Sequence, residues 1–304
     1  LTVGGIVLGT SFGAMGLANA GNVTIGTAAF TTQNNTDLVD AANGILTMTG
    51  TTTPTLDISV GRHATETGAG TVMEFGDVTG IETTTLDINT TAAIGNIVVD
   101  PNIRTKNANQ VGILKVDSTV AGGAPQTVTF NGLIGYNAAK AVNATAIVDA
   151  ITVGTDGATG GNAIFTNSVN SGTIVISGGD TGETAQATFS KEVIGGITLN
   201  QGDTSAKVIF DGTTRTVAAS VTSGVDNEGI VQITGSGITF TGAIGTSGLA
   251  SVDVDETTTV AALLDARIID VATGKTLTAD DNFSGDATTV NGTGKIIFKT
   301  DADG

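Results

Sequence analysis

One histidine, His63, stands in the chain, beside Arg62 and three residues before Glu66. A Ser-His-Asp site would need that imidazole to take the proton of its nucleophile, and the one Gly-x-Ser-x-Gly match is Gly9-Thr-Ser-Phe-Gly13. That match lies in an apolar stretch, without the strand, sharp turn and helix that hold a nucleophile clear of its sheet. Ser11 and His63 are therefore not expected to form a catalytic pair, and His63 reads as a surface or capping residue. Paired carboxylates could serve a glycosidase or lyase, and Asp253, Asp255 and Glu256 stand close together. The two-residue period of a strand puts Asp253 and Asp255 on one face and Val252 and Val254 on the other, which reads as a solvated face above an apolar one. Calcium needs several hard oxygen ligands close together. The run Asp280-Asp281-Asn282-Phe283-Ser284-Gly285-Asp286 offers Asp280, Asp281, Asn282 and Asp286 as ligands, with Asp301 and Asp303 a weaker set. The run matches neither the EF-hand loop nor the calcium-binding β-roll repeat. Gly274-Lys-Thr276 copies the end of a phosphate-binding loop, yet Ile269 occupies the place of its first glycine. These glycines read as turn residues.

Composition narrows the function classes further. The 304 residues include no Cys, which excludes disulfides, Cys-ligated zinc, iron–sulfur clusters and thiol catalysis. With 29 acidic against 12 basic residues the net charge is -17, so the phosphate neutralisation that drives nucleic-acid binding is missing. Nucleic acid and anionic membrane surfaces are not expected partners. Aromatic residues make up 4% of the chain, little material for stacking platforms or ligand cages. Hydrophobic residues reach 39% and mean hydropathy is +0.25, so the chain should fold around a core. A non-catalytic protein is expected.

The elements that must position these residues are short strands. Runs that open on glycine and alternate apolar with polar residues recur at Gly44–Met48, Gly70–Phe75, Gly112–Val116, Gly172–Ile176, Gly196–Leu199, Gly229–Ile233 and Gly294–Phe298. Further β-rich runs fall at Thr85–Ile88, Ile97–Val99, Thr127–Phe130, Lys207–Phe210 and Ser251–Val254, with Gly-, Asn- and Asp-rich turns between them. Phe165, Phe189, Phe210, Ile233 and Val254 follow one another at about 21 to 24 residues, close to one coil of a three-strand solenoid. Val128–Gly135 (VTFNGLIG) is echoed by Ile238–Gly245 (ITFTGAIG). The expected fold is all-β, a β-solenoid or β-helix-like array of short strands, with tandem β-sandwich domains as the alternative. Residues 138–150 and 260–271 carry spacings a short helix could use, although their β-branched residues suit strands as well. Val72, Phe75, Ile174, Ile176, Phe210, Ile233, Phe240, Ile296 and Phe298 are the expected core.

Residues 1–20 form an apolar segment ending in Ala18-Asn19-Ala20, and residues 21–304 a repetitive β-rich region whose best internal boundary is Ala121–Pro125 (AGGAP). Two readings of the segment stand side by side: a secretory signal remnant, and a mature extended segment, the latter preferred. As an extended chain, residues 1–16 could add a strand to a neighbouring copy or pack on their own chain. Five glycines argue against a membrane span. Asn-x-Ser/Thr sequons at Asn22, Asn34, Asn89, Asn143, Asn282 and Asn291 permit glycosylation.

The patterns at 172–178 (GTIVISG), 242–245 (GAIG) and 270–277 (DVATGKTL) resemble the Gly/Thr/Asn-rich repetitive surface proteins of bacteria. These include autotransporter passenger regions, rickettsial outer-membrane-protein-B-like antigens and some surface-layer proteins. The resemblance spans most of residues 21–304 and implies an extracellular or cell-surface setting without assigning any functional residue. The expected role is a secreted structural protein that associates with itself into a surface layer or filament. The alternatives are an adhesin facing a host or neighbouring cell and, behind it, a β-helix enzyme acting on polysaccharides. Calcium is the one cofactor expected to favour assembly, by neutralising the acidic charge.

Overall fold

A computed structural model of the chain describes residues 2–3, 23–25, 45–48, 55–58, 72–75, 83–90, 96–99, 102–105, 111–118, 126–136, 147–155, 160–178, 184–200, 206–280 and 289–299. Among these residues there are strands and no helix. Every strand-to-strand pairing is parallel. Parallel neighbours usually need a long crossover; here the chain turns short corners and comes back above itself, one coil later. The result is a β-solenoid of about six turns.

The sequence pattern explains the coil. Strands such as Thr127–Phe130, Gly161–Phe165 and Ala206–Phe210 alternate buried and part-exposed positions, so each contributes two or three apolar side chains to a core that the facing sheets share. A first ladder passes through Phe130, Phe165, Phe189, Phe210, Ile233, Val254 and Val271 as successive register partners. This ladder includes the five residues whose recurrence marks the repeat in the sequence, and the spacing of its members is the length of one coil. A second ladder passes through Leu86, Leu114, Ile151, Ile174, Ile197, Val221, Ile244 and Leu264, all fully buried. The strands Ile244–Val254 and Leu264–Val271 serve both ladders, with an irregular register between Ile244 and Leu249. A third sheet consists of Thr213–Val217, Ser236–Phe240, Thr258–Val260, Thr276–Ala279 and Lys295–Phe298.

Aromatic rings fill the centre. Phe130, Phe165 and Phe189 stack nearly parallel, with centroids 5.1 and 5.0 Å apart, and Phe210 continues the column at 6.2 Å. Ile233 then replaces the next ring in the first sheet. Phe240 enters from the third sheet instead and meets Phe210 edge-on at 4.9 Å. Such pairs contribute about 0.5–1.5 kcal/mol each beyond their buried area. One inward polar residue of the third sheet, Thr258, donates its hydroxyl to the Ile238 carbonyl at 2.7 Å, which offsets the cost of burying it.

One ambiguity is settled and one expectation is corrected. Strands Val148–Val153 and Leu264–Val271 occupy part of the segments whose spacing a helix could use; their Val and Ile residues serve the ladders, while residues 138–146 lie outside the described residues. Phe298, expected in the core, is 54% exposed. It does belong to an inward column, Val217, Phe240, Val260, Ala279 and Phe298. It stands on the last described strand of that column. Ile296 beside it is only partly buried. Ile174, Ile176, Phe210, Ile233 and Phe240 are buried as expected; the burial of Val72 and Phe75 lies outside what is described.

The echo between 128–135 and 238–245 has a structural meaning other than one coil. Phe130 belongs to the first sheet and Phe240 to the third. What repeats is a corner: a strand ending in Phe, a turn, an Ile, then a glycine with φ of +72° at Gly135 and +89° at Gly245.

Candidate functional site

The solenoid presents three outward surfaces, and the sequence-expected acids fall on the first. Asp253 pairs in register with Gln232 on one side and Asp270 on the other. Val252 and Val254 point inward and are buried, as the alternation requires. The Gln232 amide donates to Asp255 Oδ2 at 2.6 Å, and Glu256 Oε2 accepts from Lys275 Nζ at the same distance. Asp255 and Glu256 therefore have partners inside the coil stack. Asp253 is half-buried, and its carboxyl is held above the ordinary range chiefly by that burial; the nearby Asp270 and Asp255 add to the shift, while a hydrogen bond with Ser251 and the charge of Lys207 oppose it. A raised carboxyl pKa in the fold means that ionisation opposes folding. This cost is absent below the unfolded-state pKa, grows as pH rises through the folded pKa, and is fully present above it. Asp253→Asn is accordingly expected to leave stability unchanged or raise it at neutral pH. It should also flatten the dependence of the unfolding midpoint on pH above the ordinary carboxylate range. Chemical unfolding at acid and at neutral pH checks it, and a variant less stable at neutral pH would contradict this account of the acid.

Arg215 lies on an inward column of the third sheet, opposite Ile238. Its guanidinium donates to the Phe189 carbonyl at 2.5 Å and to the Lys191 carbonyl. Burial pushes its pKa down to about 10, with Asp211 working in the opposite direction. The side chain bolts the corner after Phe189 to the next coil, a structural use of its fork of donors.

Of the calcium candidates, Asp280 is described, and its Oδ1 lies 2.9 Å from Lys299 Nζ. Asp281, Asn282, Asp286, Asp301 and Asp303 lie outside the described residues, as do Ser11 and His63. Among the described residues no group of three His, Cys, Asp or Glu is placed to hold a metal ion. Gly274 has a φ of +76° in the turn before Lys275, so the glycine of the incomplete phosphate-loop match is a turn residue. Residues Thr2–Val3 pair in parallel with Val23–Ile25 of the same chain; the remainder of 1–16 and the boundary candidate 121–125 lie outside the described residues.

The third surface is the one that sequence reasoning passed over. Thr216, Thr239, Thr259 and Thr278 are successive register partners on the outward side of the third sheet. A second outward column runs beside it through Thr214, Gly237, Thr257 and Thr276. Gly237 faces Thr214, Gly237 N–H donates to the Thr257 carbonyl, and Thr276 N–H donates to Thr257 Oγ1 at 3.3 Å. The signal was present as Thr-x-Thr at 214–216, 257–259 and 276–278, hidden because threonine is common throughout the chain.

No protein-family model matches the chain, and neither the curated proteins nor the solved structures contain a match to it. Among the described residues no helix is long and apolar enough to cross a membrane.

Proposed function

We propose that the protein is a non-catalytic structural subunit that associates end to end with copies of itself, building an extracellular filament or surface layer. The observation that carries this reading is the all-parallel stack of coils held in register one on the next, with the largely exposed Phe298 on an inward column of the third sheet. A stack of parallel coils with apolar side chains on its inner side can be continued by one more coil of the same kind. A second copy of a solenoid supplies such a coil, and a head-to-tail contact that does not close into a ring grows into a fibre. The resemblance to repetitive bacterial surface proteins supports the setting outside the cell.

The test is Phe298→Asp in the full chain, followed by sedimentation velocity over a range of concentrations. Because the ring is largely exposed, the substitution should change the stability of one subunit by no more than about 0.5 kcal/mol. The native chain should sediment faster as concentration rises and the variant should remain a monomer. Equal sedimentation of the two would remove Phe298 from the contact, and a native chain that stays monomeric would overturn the proposal.

A further inference from the structure

We propose that the outward face of the third sheet binds the surface of ice. Two neighbouring columns, Thr216, Thr239, Thr259 and Thr278 beside Thr214, Gly237, Thr257 and Thr276, set threonine at seven of eight positions of a two-dimensional grid. Strand geometry fixes that grid at about 4.8 Å along the stack and about 6.6 Å across it. β-Branching leaves each threonine few rotamers, so the array is ordered before anything binds.

The hydroxyls are available. Among the described residues, those of Thr214, Thr216, Thr239, Thr259 and Thr278 make no hydrogen bond within the protein. Each offers one donor and two acceptor lone pairs, with a methyl group beside it that excludes disordered water. The first surface, by contrast, carries Lys207, Asp253 and Asp270 on its outward positions. The two threonine columns carry no charge until Lys295 at their end, and the flanking pairs Glu256–Lys275 and Asp280–Lys299 each neutralise themselves.

That combination selects the occupant. A charged polymer would require charge on the grid, and a sugar chain would be expected to lie on aromatic rings, of which the grid has none. A regular array of hydroxyls and methyls fits a partner that is itself a regular array of hydrogen-bonding oxygens, which is what a face of hexagonal ice presents. Waters held between the threonine columns are the point of attachment, because a bridging water can replace a direct hydrogen bond at little enthalpic loss.

The experiment is partition of the full chain into a slowly growing ice front, together with microscopy of ice recrystallisation. The native chain should enter the ice and hold the crystals small. Thr239→Lys combined with Thr259→Lys should lower uptake about tenfold, equivalent to about 1.4 kcal/mol. Thr198→Lys combined with Thr222→Lys, register neighbours on the second surface, should leave uptake unchanged, and circular dichroism should show all variants folded. Rejection of the native chain by ice, or equal uptake by the third-surface variant, would overturn the proposal. Retention on insoluble cellulose or chitin without uptake into ice would overturn it in favour of a glycan surface. Phe298→Asp should keep its ice uptake, so failure of the self-association reading and failure of this one are separable.

Discussion

Phe210→Ala is expected to lower the unfolding free energy by about 3–5 kcal/mol, the range for removing a ring from a packed core. Phe210 is fully buried and is the point where two aromatic columns meet, stacked on Phe189 at 6.2 Å and met edge-on by Phe240 at 4.9 Å. Its loss opens a cavity that neither neighbour can fill without leaving its own coil. Urea unfolding followed by circular dichroism measures the change. A loss below about 0.5 kcal/mol, the usual range of surface substitutions, would place the ring outside the core and remove the column as a source of stability.

A comparably large loss is expected from a single methyl group at Gly245. Its φ of +89° is a conformation that side chains rarely adopt, at a cost of about 1–3 kcal/mol for a residue other than glycine. A Cβ there would also collide with the Asp265 carbonyl oxygen of the next coil. Gly245→Ala should therefore cost more than the conformational penalty alone. Gly274→Ala is the matched control, because Gly274 has a similar φ of +76° but no atom within 4 Å of the added carbon. Thermal unfolding of the two variants separates the terms. Equal losses would mean that the corner at 244–245 is not stacked as closely on the coil above it as the structure has it.

Much of this architecture is legible in the sequence because it rests on period-two alternation and, from Phe165 to Val254, on a nearly constant coil length. The recurrence of Phe165, Phe189, Phe210, Ile233 and Val254 is a register ladder, and glycine before a strand marks several of the corners. Phe298 was misplaced because alternation assigns a side of the strand, and only the presence of another coil above decides whether that side is covered. Residues 260–271 were ambiguous because Ala, Leu and Ile suit either period over so short a stretch. The threonine grid escaped notice for a different reason. Thr213–Val217, Thr258–Val260 and Thr276–Ala279 are short strands, two of them without an opening glycine, and their outward residues gain meaning only through alignment with strands about 20 residues away. Asp253 and Asp255 were correctly placed opposite Val252 and Val254, whereas the partner of Asp255, Gln232, comes from the preceding coil.

Self-association is the claim on which the functional account turns, and negative-stain electron microscopy of the concentrated full chain tests it most directly. Images of the native protein should show filaments or an ordered sheet whose units repeat along the solenoid axis, and images of Phe298→Asp under the same conditions should show dispersed particles. Dispersed single particles in both samples, at every concentration and with or without added calcium, would contradict the account.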